Sequence, residues 1–369
     1  LYLIIFYSFE LYEPIYFRFN KEFFTVAFSA LLFNFFSSLI YFYIGHPLGL
    51  PISPYSNFII FFIIFTVLFF ISRKIVFSQI RPRQKIIFIG KNNQLFEEIN
   101  TFIKNNPHLG FNLEIEKKFP VEAPDFLIIN GKVLNFPELP FLTNFFSLEE
   151  FYTYLFKKIP LEFLETKKIL EMVLKKPPLY YLVSKRILDL LIALILLPIL
   201  IILLPFIALG IKLSDSSGPV FIKQRRLGQL GKAFTVYKFR TMRGAPRAGN
   251  EFDKNRIFSF GKFLRTTHLD ELPQLLNIFK GELSFVGPRA ELVAVVEDIA
   301  KKVPHYKLKL LARPGLTGWA QLMYGYAATI DDYREKISYD LYYLANRNLI
   351  FDLIILLKTL KEITFRKGE

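Results

Sequence analysis

Three stretches of this chain run without a charged residue for long enough to cross a lipid bilayer, and they limit how it can fold. Residues 23–44 and 190–211 make runs of 22, and residues 54–72 make a run of 19. At 1.5 Å per helical residue, 22 residues reach about 33 Å, against a hydrocarbon core of about 30 Å. A soluble core helix rarely continues uninterrupted over such a length. Residues 1–9 form a shorter apolar run that opens at Leu1 and not at Met. It reads as the end of a further span, so residues 1–84 are expected to be transmembrane helices, truncated at the N-terminus.

The loops give these spans a direction. Residues 45–57 contain no Lys or Arg, whereas Arg18 and Lys21 precede the first full run and Arg73, Lys74, Arg81, Arg83 and Lys85 follow the second. Basic flanks stay on the cytoplasmic side, so the rest of the chain is expected there. A content of 52% hydrophobic residues with 43 Phe excludes a disordered chain. The absence of Cys excludes disulfides, thiolate metal sites and a Cys nucleophile. The four His (His46, His108, His268, His305) are too scattered for a His-rich metal motif.

The run at 190–211 differs from the other two because it holds Pro198 and Pro205. Proline inside a helix removes a backbone hydrogen bond and kinks the chain. Cations stand at both ends, Lys185 and Arg186 before it and Lys212 after it. Both a kinked span and a re-entrant hairpin that returns to the same face fit this pattern.

Two soluble regions flank that helix. Residues 85–176 open with the strand-like KIIFIG and continue through an amphipathic run, GFNLEIE and DFLIIN, the order of a small Rossmann-like α/β domain. Its GKNNQ turn lacks the G-x-G-x-x-G of a dinucleotide site, so a structural or regulatory role is expected. Residues 177–369 then form a mainly helical, membrane-associated domain whose membrane helix covers 187–211. The fold class expected overall is an α+β membrane protein. Between residues 212 and 280 there are 14 Lys or Arg against 5 Asp or Glu, interleaved with glycines. Such a block suits anionic headgroups, a polyphosphate or nucleic acid.

Within this block Asp270 and Glu271 stand side by side just before Pro273. Proline favours a first helical turn, where backbone N–H groups favour anions. Two adjacent carboxylates can share a divalent cation, or one can attack phosphorus while the other positions metal or substrate. The same pair also occurs as a plain helix-start decoration. Arg265, Lys280, Arg289 and Arg313 could offset phosphate charge nearby.

An ordered set of short motifs surrounds the pair. These are Lys185-Arg186-x-x-Asp189, Gly218-Pro219-Val220-Phe221, Gln224-x-Arg226-x-Gly228 and Tyr237-Lys238-Phe239-Arg240-Thr241-Met242. Leu269-Asp270-Glu271-Leu272-Pro273-Gln274 follows, then Gly281 to Arg289 (GELSFVGPR) and Arg313 to Gln321 (RPGLTGWAQ). From Ser184 to about Leu360 the chain thereby resembles the bacterial sugar transferase family, the monotopic polyprenyl-phosphate phosphoglycosyl transferases. The upstream spans and α/β domain resemble the long form of that family.

The resemblance implies that a nucleoside diphosphate sugar, UDP being the usual carrier, gives its sugar-1-phosphate to undecaprenyl phosphate. It implies a covalent intermediate on Asp270 as nucleophile, with Glu271 as metal or base partner, and Mg²⁺ held by Asp270 and Glu271. Lys238, Arg265, Arg289 and Arg313 become the candidates for holding phosphate groups. It further implies the bacterial inner membrane, a catalytic domain on its cytoplasmic face in contact with membrane lipid, and no nucleic acid; a homodimer is admissible. Three features depart from the family pattern: the usual helix-breaking proline lies between the positions of Pro198 and Pro205, Ala290 replaces a proline, and Lys91-Asn92-Asn93 replaces a Gly-rich turn. A processive glycosyltransferase is a poor rival because the chain lacks a D-x-D and a Q-x-x-R-W signature. A membrane-tethered basic scaffold or nucleic-acid-binding protein is the non-enzymatic rival. Residues 340–361 suit either an interfacial helix or a core helix, and Trp319 is expected in the core.

Overall fold

A computed structural model describes residues 84–107, 111–116, 124–130, 144–244, 256–325 and 327–365. The spans expected at 23–44 and 54–72 lie outside them. The described chain mixes helix and sheet and contains one long apolar helix. It divides into two compact units between Phe163 and Leu164.

The first unit is built from β1 (Gln84–Gly90), α1 (Gln94–Asn105), β2 (Phe111–Glu116), β3 (Phe126–Asn130), β4 (Asn144–Ser147) and α2 (Leu148–Phe156). All strand pairs are parallel, in the order β2-β1-β3-β4. The central strand β1 buries Ile86, Ile87 and Phe88 in succession, as a parallel strand covered on both faces requires. Asn93 starts α1 by accepting a hydrogen bond from the Phe96 amide at 3.0 Å. The helix then lays Leu95, Ile99 and Ile103 onto the sheet beside Leu148 and Phe151 of α2. A Ser147–Glu150 capping box starts α2. The turn after β1 is closed when the Asn130 side-chain amide donates to the Lys91 carbonyl at 2.7 Å.

The second unit begins with α3 (Thr166–Val173), which packs against α9 (Ile330–Asn346), and continues into α4 (Leu179–Ser214). Next come the antiparallel hairpin β5 (Phe221–Leu227) and β6 (Ala233–Phe239), α5 (Ser259–Thr266), a 3₁₀ turn at Leu269–Gln274, and α6 (Leu275–Lys280). The chain then forms β7 (Ser284–Val286), α7 (Val293–Lys302), a 3₁₀ turn at Tyr306–Leu311, β8 (Gly315–Thr317), α8 (Trp319–Met323), α9 and α10 (Leu349–Phe365). Trp319 is buried, as expected. The last helix is divided: Asp352 and Ile355 are buried, whereas Ile350, Leu360 and Ile363 are exposed.

β7 and β8 pair in parallel with almost no space between main chains. A Cβ on Gly315 would lie 2.1 Å from the Gly287 nitrogen, and one on Gly287 would lie 2.3 Å from the Arg313 carbonyl oxygen. Only glycine permits that approach.

α4 is 36 residues long and carries Pro198 and Pro205 inside it. Its most apolar 18-residue window has a mean hydropathy of 3.3, and only 17% of that window is buried. A core helix would bury that window, so α4 presents its apolar surface outward. Its polar anchors lie at the two ends. Near the start, the buried Asp352 carboxylate of α10 accepts from Lys185 Nζ at 2.8 Å, Tyr181 OH at 3.0 Å and Tyr343 OH at 2.8 Å. Arg186 donates to the carbonyls of Ile278 and Phe279 on α6, at 2.6 and 2.9 Å. Asp189 accepts from Ser284 Oγ at 2.9 Å and from the Phe285 amide at 3.0 Å, which ties α4 to β7. Near the end, Gly210 lies flat on the Phe260 ring of α5, where a Cβ would come within 2.5 Å of a ring carbon. Just beyond it, Asp215 pairs with Arg240, which follows β6 and also donates to the Pro219 carbonyl at 2.7 Å. Both ends of α4 are thus fixed to one compact unit. Replacing Asp352 with Ala should destabilise the protein by about 3 kcal/mol, because Lys185 would keep a buried charge without its partner. Thermal unfolding of the full chain in detergent checks this.

Candidate active site

The site grows from β6 and the turn that packs against it. Along β6 the side chains alternate, with Phe234 and Val236 buried. Lys238 continues that inward row, so its ammonium is directed into the unit and not to solvent. Opposite it, two residues past the end of α5, His268 takes a left-handed backbone with φ 55°, and the chain turns into the 3₁₀ turn that carries Asp270, Glu271 and Pro273. The buried Asn277 fixes the following helix to β6 by donating to the Thr235 carbonyl at 2.7 Å and to Glu282 Oε2 at 2.8 Å.

These supports give the two neighbouring acids different surroundings. Glu271 Oε1 takes Lys238 Nζ at 2.5 Å and has Arg289 Nη2 at 4.0 Å. Burial alone would push the Glu271 carboxyl up, but Lys238 and then Arg289 outweigh it and hold it down at about 2. Asp270 is 9% exposed, and no hydrogen bond reaches its carboxylate among the described residues. Burial pushes it up to about 6; Lys238 pulls downward and the Glu271 charge adds to the rise. At neutral pH both are ionised, one clamped by cations and the other left available.

A narrow cleft, with room for about one water, lies at this place, lined by Arg226, Lys238, Glu271, Gln274, Arg289 and Gly315 among others. Of the residues picked out in the sequence, Lys238 and Arg289 meet Glu271 directly. Arg265 acts on Asp270 through charge, together with His268. Arg313 is placed elsewhere: it is half-buried beside Asp189, with Arg186 near it, at the start of α4. Arg226 and Gln274 were not singled out as site residues. Arg226 is buried; its guanidinium donates to the Ala290 carbonyl at 2.7 Å and to Gln224 Oε1 at 2.9 Å, and its charge also reaches Glu271. The alternation of β5, which puts residues 224 and 226 on one face, was the signal that could have found it.

Among the described residues no group of three or more His, Asp or Glu gathers to enclose a metal. Asp270 with the second oxygen of Glu271 supplies carboxylate donors only. Such a set fits Mg²⁺, which is commonly held by one or two carboxylates with substrate phosphates and water completing its octahedron.

Residues 180–366 match the family described as bacterial sugar transferase, which takes in the motifs, the cleft and α4. The chain belongs to the bacterial sugar transferase family. This sugar transferase is 40% identical over 178 residues to the UDP-N-acetylgalactosamine-undecaprenyl-phosphate N-acetylgalactosaminephosphotransferase of Aeromonas hydrophila, a match covering 47% of this chain and 42% of the relative. It is 38% identical over 168 residues to the UDP-glucose:undecaprenyl-phosphate glucose-1-phosphate transferase of Xanthomonas campestris pv. campestris, covering 44% and 34% of the two chains. It is 41% identical over 187 residues to the exopolysaccharide production protein PSS of Rhizobium leguminosarum bv. phaseoli, covering 47% and 90%. The chain therefore spans less than half the length of the first two relatives and most of the third.

The two acids of this sugar transferase should respond oppositely to neutralisation. A folded-state value of about 6 for Asp270 exceeds the ordinary 3.8, so ionisation costs the folded state; the cost is fully present above about 6 and gone below about 4. Asp270→Asn should therefore raise stability at pH 8, by about 2 kcal/mol, and lose that advantage near pH 4. Glu271 has the opposite sign: its contribution is present above about 4.5 and disappears as pH falls toward 2. Glu271→Gln should cost about 2 kcal/mol at pH 7. Melting curves of both variants against pH decide the matter.

Proposed function

We propose that this chain transfers sugar-1-phosphate from a UDP-sugar to undecaprenyl phosphate, through a phosphosugar carried on Asp270, at the cytoplasmic face of the bacterial inner membrane. The observation that carries the reading is the split of the acid pair: Glu271 is engaged by Lys238 and flanked by Arg289, while Asp270 beside it has no hydrogen bond among the described residues. A carboxylate free of partners, within a cationic shell, is what attack on a polyanionic phosphorus needs.

In the first step an Asp270 oxygen attacks the sugar-bearing phosphorus. The bond from that phosphorus to the bridging oxygen breaks, and UMP departs with the electron pair. In the second step a phosphate oxygen of undecaprenyl phosphate attacks the same phosphorus. The lipid-linked diphosphosugar forms and Asp270 returns as a carboxylate. Lys238, Arg289 and Arg226 offset the phosphate charge on the cleft side, and Arg265 does so from the α5 side. When bound, Mg²⁺ would neutralise charge on the phosphate oxygens beside Asp270 and Glu271.

The helix supports the location. Arg186 and Gly210, 24 residues apart, correspond to about 36 Å of straight helix, yet they rest on the neighbouring helices α6 and α5. We read α4 as re-entrant, with its bend in the region of Pro198 and Pro205, holding the cleft at headgroup level where a lipid phosphate lies. We assign Arg313, beside Asp189 at the start of that helix, to the acceptor side. The upstream parallel sheet is read as a Rossmann-like support without a cofactor.

Membranes carrying the full chain, given a panel of UDP-sugars and undecaprenyl phosphate, should release UMP and not UDP. Asp270→Asn should reduce that release at least about a thousandfold while the protein stays folded. Without the lipid, intact-protein mass spectrometry should find a phosphosugar adduct on wild type and none on the variant. Because the attacking form is ionised, the rate should fall as pH drops through about 6. Undiminished transfer by Asp270→Asn would overturn the assignment.

A further inference from the structure

The β5–β6 hairpin has two cationic faces, and protein answers only the inner one. Strand pairing sets Ile222 opposite Lys238 and Arg226 opposite Phe234 on that face, and Lys223 opposite Tyr237 and Arg225 opposite Thr235 on the other. On the inner face Lys238 meets Glu271, and Arg226 donates to the Ala290 carbonyl. On the outer face Lys223 and Arg225 are exposed, and neither has a carboxylate within 4.0 Å among the described residues.

A third cation joins them from another element. Lys280 ends α6, and its Nζ lies 5.4 Å from the centre of the Tyr237 ring, while Lys223 Nζ lies 6.0 Å from the same ring. Two exposed ammoniums thus share one half-buried tyrosine. Each is attracted by the ring face, but they repel one another. Lys280, like Lys223, has no carboxylate partner among the described residues. Like charges gathered in this way, with no acid between them, favour an anion from outside the chain. None of the three residues lines the cleft beside Asp270.

The position of the cluster relative to α4 says which anion. After α4 ends at Ser214, six residues lead to β5, which opens with the exposed Phe221 stacked on Phe239 at 5.1 Å. Lys223 follows on the same face of the strand, about 7 Å along. α6 repeats that order: Leu276 is exposed, and Lys280 stands about 6 Å further along the same helix face. Arg186, near the start of α4, donates to carbonyls in that same turn of α6. A strand near one end of α4 and a helix near the other therefore each present an apolar side chain followed by a lysine. An apolar group at acyl-chain depth with a cation at headgroup depth is how protein meets an anionic lipid surface. We propose that Lys223, Lys280 and Tyr237 form a docking surface for the phosphate of an anionic phospholipid headgroup. This rests on reading α4 as held in lipid, and not on the transfer chemistry.

The test uses the full chain, stripped of lipid in a neutral detergent and titrated with phosphatidylglycerol or phosphatidylcholine, with native mass spectrometry counting the lipids bound. Lys223→Gln combined with Lys280→Gln should weaken phosphatidylglycerol about thirtyfold, the worth of two lysines at an anionic surface, and change phosphatidylcholine less than about twofold. Lys223→Arg combined with Lys280→Arg should keep the affinity. Lys301→Gln combined with Lys307→Gln removes the same charge from exposed positions on α7 and the turn after it, and should leave phosphatidylglycerol binding as it was. Unchanged phosphatidylglycerol binding in the first variant would overturn the proposal. An equal loss in the Lys301 and Lys307 variant would overturn it too, because net charge alone would then act. So would a loss confined to free glycerol phosphate or to a single-stranded RNA probe, since the surface would then serve a soluble anion or nucleic acid. The chain has no Cys, so a fluorophore on Ile201→Cys reports on α4 alone. Failure of lipids with spin-labelled acyl chains to quench it would instead remove the reading of α4 in lipid.

Discussion

An apolar helix fixed at both ends to the same folded unit is the constraint from which the rest of this structure follows. The exposed Leu, Ile and Phe side chains of α4 suit lipid, while its ends are held by charged and polar contacts with protein. Asp352, Asp189 and Asp215 each bind a different part of the helix boundary to a different element: α10, β7 and the residue after β6. Neighbouring elements of that arrangement also carry the cleft. The turn with Asp270 and Glu271 sits between α5 and α6, and these are the two helices on which Gly210 and Arg186 rest. On the proposed transfer reading, the position of Asp270 relative to lipid is set by the same contacts that hold the helix.

In the 3₁₀ turn beside the cleft, two neighbouring carboxyls are separated by surroundings alone. One amide's distance along the chain changes the partner from a lysine at 2.5 Å to none among the described residues. On Asp270 burial outweighs the downward pull of Lys238, whereas on Glu271 it is overcome by Lys238 and Arg289. If Asp270 is the nucleophile, as proposed, an anchored twin beside it lets the cations be held permanently without being consumed by the group that reacts.

Much of this was legible in the sequence where the signal was local. The uncharged run at 190–211 announced α4, and KIIFIG, GFNLEIE and DFLIIN fall on β1, β2 and β3. Asp270 and Glu271 were found by adjacency, and Lys238 and Arg289 by the motifs around them. Long-range pairings were not legible. Nothing near Lys185 points to Asp352, and nothing near Arg313 says that it faces Asp189 and not the acid pair. Lys336 was hidden for another reason: an isolated lysine in an amphipathic helix reads as surface, and only the packing of α9 shows it buried. The expected spans before residue 84 lie outside the described residues.

The glycine contact between β7 and β8 has a mechanical consequence. Arg289 follows the first of these strands and Arg313 precedes the second, and the main chains between them touch with no side chain as a cushion. The span between a guanidinium facing the cleft and one at the foot of α4 is thus governed by backbone contact, like the jaws of a caliper locked at one setting. On the proposed reading, a donor anion from the aqueous side and an acceptor anion from the bilayer would meet a gauge of fixed width.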